Sequence, residues 1–441
     1  MFKKIQLILL FSAIAGALSA QNWTPMAAGL LPANYVIFSI SAVGEDVVWA
    51  IASGEYYQAP IPSTHRPYIL RTSNGGQTWT VAEIEEAAGA ISFQIVAVDS
   101  LTAWITTQDY GGGPGRKLYK TSDGGDLWTL RLTNGSTGVA LNLFEDGQHW
   151  LAHNRQSISR SDNNGATWDN AAISGYTNDE YQLLNSGANM SCTAGDTLWN
   201  GTSEGRIVRF TDFGASYEFL NAGLGTGTSI YSIAFQDHEN GLLFNQNSFG
   251  INRIARSTNG GATWANLASQ PGNFGWNIAA VPGAPGAYVL ASNYNTVTGR
   301  VAITQDFGNN WSVENLGQRL NSIVFTSPET GWIGGGKLTL STHPALFKYN
   351  GSPLLVGVRT LPTLSGFSVF PNPATEHVSF DFEGYSTDKP VAVSIRDLLG
   401  REVFACIIND NRLDVKDLIS GIYILNVEAD GKRGVARIVK Y

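Results

Sequence analysis

The chain predicts an all-β fold: a seven-bladed β-propeller, with six or eight blades as the alternatives, followed by a small Ig-like β-sandwich. Three observations predict it. A nine-residue segment occurs six times, and its closing aromatics fall 40 to 49 residues apart, the length of one four-stranded blade. A tryptophan-bearing apolar run precedes most copies. The last 75 residues lack the segment but keep the alternation of short strands.

The segment first appears as Arg71-Thr-Ser-Asn-Gly-Gly-Gln-Thr-Trp79 and returns at 120–128, 160–168, 209–217, 256–264 and 303–311. Each copy sets an Asx residue (Asn74, Asp123, Asn163, Asp212, Asn259, Asp306) two places before a glycine (Gly76, Gly125, Gly165, Gly214, Gly261, Gly308). An Asx side chain accepts hydrogen bonds from following backbone N–H groups, and glycine tolerates the positive φ of a tight turn. The aromatic three residues on (Trp79, Trp128, Trp168, Tyr217, Trp264, Trp311) is expected to fold back and fill the gap toward the next blade. The basic residue three before the Asx (Arg71, Lys120, Arg160, Arg209, Arg256) reads as a rim charge.

This pattern resembles the Asp-box, or bacterial neuraminidase repeat, of sialidases, sortilin-type receptors, xyloglucanases and the photosystem II assembly-factor family. The resemblance implies that the boxes are structural and lie at the propeller periphery, away from any active site.

Trp49, Trp104, Trp150, Trp199 and Trp332 mark the second strand of their blades, with Phe244 and Tyr288 in the comparable places elsewhere. Inner strands are expected to start near Ile37, Phe93, Val139, Leu183, Ile230, Ile278 and Leu320, which gives seven blades. The seventh has no box. Asn22-Trp-Thr-Pro-Met26 reads like the segment that follows one, so the N-terminus is expected to supply the missing outer strand and close the ring.

Residues 1–20 read as a secretory signal peptide: Lys3 and Lys4, then an apolar run to Leu18, with cleavage after Ser19 or Ala20. The propeller spans 22–351 and a Gly-, Pro- and Ser-containing linker spans 352–366. In 367–441, Val378, Phe380 and Phe382 alternate, as do Val391, Val393 and Ile395, and Asp430-Gly431 marks a hairpin. This tail, with Phe370-Pro-Asn-Pro373, Leu418-Ile-Ser-Gly-Ile-Tyr-Ile-Leu425 and a basic end at 432–440, resembles the type A C-terminal sorting domain of the type IX (Por) secretion system of Bacteroidota. It implies the type IX machinery as partner and a secreted or surface-anchored product.

The net charge of −8 favours neither nucleic acid nor an anionic membrane, and no segment after the leader is apolar enough to span a bilayer. Cys192 and Cys406 fall in different domains, so no disulfide is expected. No metal or cofactor site is expected: His149 and His153 lie on a strand, about 13 Å apart. Asp99-Ser-Leu101 and Asp196-Thr-Leu198 match a short O-glycosylation signal and also read as ordinary turns.

In a four-stranded blade the boxes, as third-to-fourth turns, share one face with the first-to-second turns. The second-to-third loops and blade connections share the other, and there the loops vary in length. Ligand contact is expected on that loop face at Tyr56, Tyr57, Tyr68, Tyr110 and Trp276, the one tryptophan the repeat does not require. The function expected is binding or adhesion, to a glycan or a protein. The alternative is a sialidase- or xyloglucanase-like glycoside hydrolase with Glu55 and Asp109 as its carboxyl pair and Asp179 and Glu180 as a more remote choice.

Overall fold

The structure is a computed structural model of the whole chain. It describes residues 22–54, 62–109, 116–134, 140–153, 156–177, 180–182, 190–225, 227–247, 249–272, 276–292, 299–336, 345–354, 364–386, 391–397, 402–429 and 432–441. The expected signal peptide lies outside these. The chain divides into two units, Met1–Val356 and Gly357–Tyr441.

The first unit contains seven four-stranded antiparallel sheets, the seven blades of the propeller. Blade 1 consists of Tyr35–Val43, Val47–Gly54, Tyr68–Thr72 and Thr80–Glu83. Blade 2 follows with Ala90–Ala97, Ala103–Asp109, Arg116–Thr121 and Thr129–Asn134. Blade 3 has Ala140–Leu143, Trp150–His153, Ser157–Ser161 and Asp169–Ala172. Blade 4 has Ser191–Ala194, Thr197–Gly201, Arg206–Thr211 and Ser216–Asn221. Blade 5 has Ser229–Phe235, Asn240–Gln246, Asn252–Thr258 and the two-residue strand Ala265–Asn266. Blade 6 has Trp276–Ala280, Tyr288–Ser292, Arg300–Thr304 and Ser312–Asn315. Blade 7 has Arg319–Phe325, Gly331–Gly336 and Leu346–Tyr349, and its outer strand is Trp23–Met26 from the N-terminus.

That closure is in register, with Trp23 opposite Tyr349 and Met26 opposite Leu346. Trp23 is buried edge-on against Tyr349 (5.2 Å) and Phe325 (6.0 Å). Each inner strand touches the next, from blade 1 round to blade 7 and back to blade 1, so no inner edge stays open.

Side chains on the inner strands hook neighbouring backbones. Ser39 and Ser41 of blade 1 accept the N–H groups of Ile95 and Ala97, Ser232 of blade 5 accepts that of Ile278, and Asn321 of blade 7 donates to Ile37 O at 2.9 Å. In blade 4 the inner strand is Ser191–Ala194, displaced from the expected start near Leu183, which lies outside the described residues. Leu183 and Leu184 form an apolar pair, but the strand is set by its pairing with the second strand, Cys192 opposite Trp199.

Five boxes share one hydrogen-bond scheme. Thr72 Oγ1 donates to Asn74 Oδ1 (2.9 Å) and accepts the buried N–H of Gly76 (3.0 Å), while Asn74 Oδ1 also accepts Thr78 N–H (3.0 Å). Thr121, Ser161, Ser257 and Thr304 play the same part with Asp123, Asn163, Asn259 and Asp306. Burial would raise the Asp123 carboxyl, but the Thr121 hydroxyl and the N–H groups of Leu127 and Asp126 hold it below the usual range. In the fourth copy Phe210 replaces the hydroxyl residue, and Asp212 and Phe213 both take positive φ. The turn tightens, and its outer strand starts at once at Ser216.

The second-strand aromatics all lie on the strands expected for them, and the expectation about the box aromatics is corrected. The box aromatics face the preceding blade, not the next: Trp79 packs edge-on against Trp332 of blade 7, Trp168 against Trp104 of blade 2, and Trp311 joins the blade 5–blade 6 cluster. The second-strand aromatics are not equivalent. Trp49, Trp104, Trp199 and Trp332 face the following blade, but Trp150 and Tyr288 face the preceding one. Trp150 stands opposite Ser161, whereas Trp49 stands opposite Arg71, and this one-residue offset turns the side chain to the other face of the sheet. In blade 5 the position of Trp49 belongs to Leu242, opposite Arg256, with Phe244 two residues further along.

The forward-facing tryptophans explain the box glycines. A Cβ on Gly76 would lie 2.7 Å from Trp332, and one on Gly165 only 2.3 Å from Trp104.

The second unit is a sandwich of a three-stranded sheet (Ser368–Phe370, His377–Asp381, Arg412–Asp414) and a four-stranded one (Val391–Asp397, Glu402–Ile408, Gly421–Ala429, Lys432–Lys440). Val378, Phe380, Val391, Val393 and Ile395 are buried between them, as their alternation predicts. Leu354 is buried in the propeller and Leu364 in the sandwich. Cys192 and Cys406 are both free thiols.

Candidate functional site

On the loop face, the 62–67 limb of the long blade 1 loop is anchored by a buried histidine. His65 Nε2 lies 2.9 Å from Ser53 Oγ, and its Nδ1 lies 3.0 Å from Tyr35 Oη. Tyr35 also stacks on the imidazole and donates to Arg66 O. Two backbone bonds, Gly89 N–H to His65 O and Ile84 N–H to Pro67 O, sew the limb to the next connection. Burial, with the neighbouring Arg66 charge, pushes the His65 imidazole down to about 4, so it is neutral.

Of the expected contact residues, Tyr56, Tyr57 and Tyr110 lie outside the described residues, as does Glu55. Tyr68 is half-buried; its hydroxyl donates to the Glu83 carboxylate and its ring meets Tyr35 edge-on. Trp276 opens the inner strand of blade 6, opposite Ser292, rather than lying within a connection.

Among the described residues, two of the expected carboxylates are engaged. Asp109 is held 2.7 Å from Lys117 Nζ, a contact that raises the lysine. Asp179 lies outside the described residues. Glu180 is wholly buried, bonded to Arg206, to Thr202 Oγ1 (2.7 Å) and to the N–H and hydroxyl of Thr177. Burial alone would raise this carboxyl, but Arg206 and the threonines keep it low and ionised. Arg206 in turn lies over Phe219. Asp109 ends the second strand of blade 2 and Glu180 lies in the connection between blades 3 and 4, each with its own cation.

The two histidines of blade 3 also have separate surroundings. His149 pairs with Asp146 and stacks on Phe213 at 4.3 Å, while His153 is wholly buried, with neither ring nitrogen hydrogen-bonded among the described residues. Asp99 takes the N–H groups of Leu101 and Thr102 as a turn residue, and the Thr197 side chain is buried.

The box cations do more than line the rim. Arg160 donates to Phe213 O (3.0 Å) and Arg209 to Gly260 O (3.0 Å), each reaching the residue after the Asx in the next box. Arg256 covers Phe307 in the same relation, and Arg71 donates to Ser100 O in the adjoining turn of blade 2. Lys348 of blade 7, which has no box, donates to Gly75 O of the first box. These contacts escape a reading of the sequence one repeat at a time, because each joins two repeats. The box face is thereby committed to holding the ring together.

Residues 368–441 match the family described as Secretion system C-terminal sorting domain. The tail is a sorting domain. It marks the chain for type IX secretion, to the cell surface or beyond it. Among solved structures the chain is similar to one described as "YCF48 bound to D1 peptide", at 16% identity, covering 76% of this chain and 99% of that one with a TM-score of 0.51. It is also similar to YCF48 from Cyanidioschyzon merolae (14% identity, 74% and 98% covered, TM-score 0.33). A third is a GH74 enzyme of Niastella koreensis (12% identity, 92% and 66% covered, TM-score 0.43). The first of these likenesses bears on the propeller fold alone. A comparison with curated proteins finds no match. Among the described residues no helix is long and apolar enough to cross a membrane.

Proposed function

We propose that the sorting domain exports a binding or adhesive propeller whose ligand, a glycan or a protein, docks on the loop face. The observation that carries this reading is the unequal use of the two faces. Box cations and tryptophans are spent on contacts between blades and the box hydroxyls on the turns themselves, whereas the loop face carries the long and variable connections. Binding is favoured over glycoside hydrolysis because Asp109 and Glu180 each have a cation of their own. A general acid needs a carboxyl held protonated, and a lysine or arginine partner acts against that.

The test is the mature propeller on a glycan array and with sialyl and xyloglucan substrates, beside Tyr56→Ala, Tyr57→Ala and Trp276→Ala variants. Saturable binding without products, weakened in those variants at unchanged melting temperature, is the expected result. Turnover would establish the hydrolase. Binding lost only on changing exposed residues beside the boxes would move the site to the other face.

A further inference from the structure

The second-to-third connection of blade 5 carries an aromatic that the propeller does not use. Phe249 is 87% exposed and Ile251, two residues on, is 47% exposed. Their turn is built rather than slack. Asn247 Oδ1 accepts the N–H groups of Phe249 (3.0 Å) and Ile251 (2.9 Å). The backbone of Asn247 closes the turn, accepting from Gly250 N–H at 2.9 Å and donating to Ile251 O at 3.1 Å. Arg253 follows on the exposed side, alternating with the half-buried Asn252 and the buried Ile254. The outer strand of this blade pairs only with Ala255 and Arg256, so the hairpin end stands beyond it.

We propose that this hairpin anchors a peptide segment of another protein, one carrying an apolar side chain beside a carboxylate. The proposal rests on the loop-face reading above and names the ligand class. A ring presented on a hydrogen-bonded turn loses little freedom when covered, which is the property of an interface anchor. Sugar recognition needs hydrogen-bonding groups around the stacked ring, and here Asn247 Oδ1 is taken by the turn and Gln246 Nε2 by Asn252 Oδ1 at 2.8 Å. Among the described residues the exposed side presents Phe249, Ile251 and the Arg253 cation, complementary to an apolar residue with an acidic neighbour.

The experiment selects a random peptide library displayed on phage against the full chain and measures the enriched sequences as synthetic peptides. Enriched peptides should pair an aromatic or branched aliphatic residue with Asp or Glu. Phe249→Ala should weaken their binding about tenfold or more, and Arg253→Glu several-fold, with melting unchanged. Peptides that bind both variants as well as the parent, or a selection that enriches nothing dependent on Phe249, would overturn the proposal. Self-association abolished by Phe249→Ala would assign the hairpin to a second copy of the chain and overturn it as well. The same variants on the glycan array separate the two readings. Glycan binding that survives Phe249→Ala leaves the loop-face site standing while this proposal fails, and glycan binding lost with Phe249 makes the hairpin a sugar contact instead.

Discussion

Lys348 Nζ donates to the carbonyl of Gly75 at 2.9 Å, joining the one blade without a box to the first box of the chain. Arg160 and Arg209 make the same forward contact from blades 3 and 4. The seam between the chain's two ends is thus built like the seams between consecutive blades. The N-terminal strand completes it, with Asn22 O accepting Asn350 N–H and Asn22 Nδ2 bonded to Glu314 of blade 6.

Removing that strand should therefore open the ring. A mature chain beginning at Leu30 loses the pairing of Trp23–Met26 and the buried indole, and the latter alone costs about 3–5 kcal/mol. The expected outcome is a drop in denaturant midpoint and aggregation through the exposed third strand of blade 7. Lys348→Met should cost about 1.5–3 kcal/mol with the strand in place. An unchanged midpoint for the shortened chain would show that the strand does not close the ring.

In the five boxes that carry one, the hydroxyl residue is as sharp a target as the Asx residue it supports. Ser161→Ala leaves the buried N–H of Gly165 without its acceptor and should destabilise by about 1–3 kcal/mol. Thr211→Ala in the fourth copy, where Phe210 holds the equivalent place, should change stability by about 0.5 kcal/mol or less. Urea titration of the two variants distinguishes them. Equal losses would mean the hydroxyl is not part of the turn's support.

Acid should unfold the propeller through its buried imidazoles. Burial holds His153 down to about 3 and His65 to about 4, against an ordinary value of 6.5. Between those limits the unfolded chain binds protons that the folded chain excludes. The stability is full above pH 6.5 and falls, by several kcal/mol in all, as pH drops through 4 toward 3. His153→Met should match the parent or exceed it at pH 7 and lose less between pH 7 and pH 4. Parallel pH dependences for variant and parent would remove His153 from the account.

Export should depend on the second unit and folding should not. In a host with the type IX machinery, a chain ending at Val356 is expected to fold with the parent's melting temperature and to stay in the periplasm. Surface proteolysis of intact cells reads this directly. Digestion of the shortened chain from outside would contradict the sorting role of residues 368–441.

The described residues also show why parts of this fold were legible and others were not. The Asx turns were, because Asn74 and Gly76 act within one turn whose geometry is local. So was the outer strand at Trp23, because an unpaired edge in blade 7 and a spare strand leave one closed solution. The direction in which Trp150 faces was not, since one residue of register decides it and the sequence around it reads like that of Trp104. On the loop face, the stretch Ser63-Thr-His-Arg-Pro67 gave no sign that His65 would be the anchor. Its partners Ser53 and Tyr35 arrive from two other strands. The exposure of Phe249 depends on how the outer strand of blade 5 ends, which its own hairpin does not specify.

By itself the sequence determined the repeat unit, the number of blades and the face on which loops vary, because each follows from spacing and local turn chemistry, while the sorting tail was legible through its resemblance to a known family. The tertiary structure alone decided which blade each aromatic covers, that the box cations bind the next blade's turn, and which loop-face carboxylates are taken by lysine or arginine. Those outcomes belong to contacts between repeats, where a strand's register and the neighbour across the gap set the partner, and neither is written in any single copy.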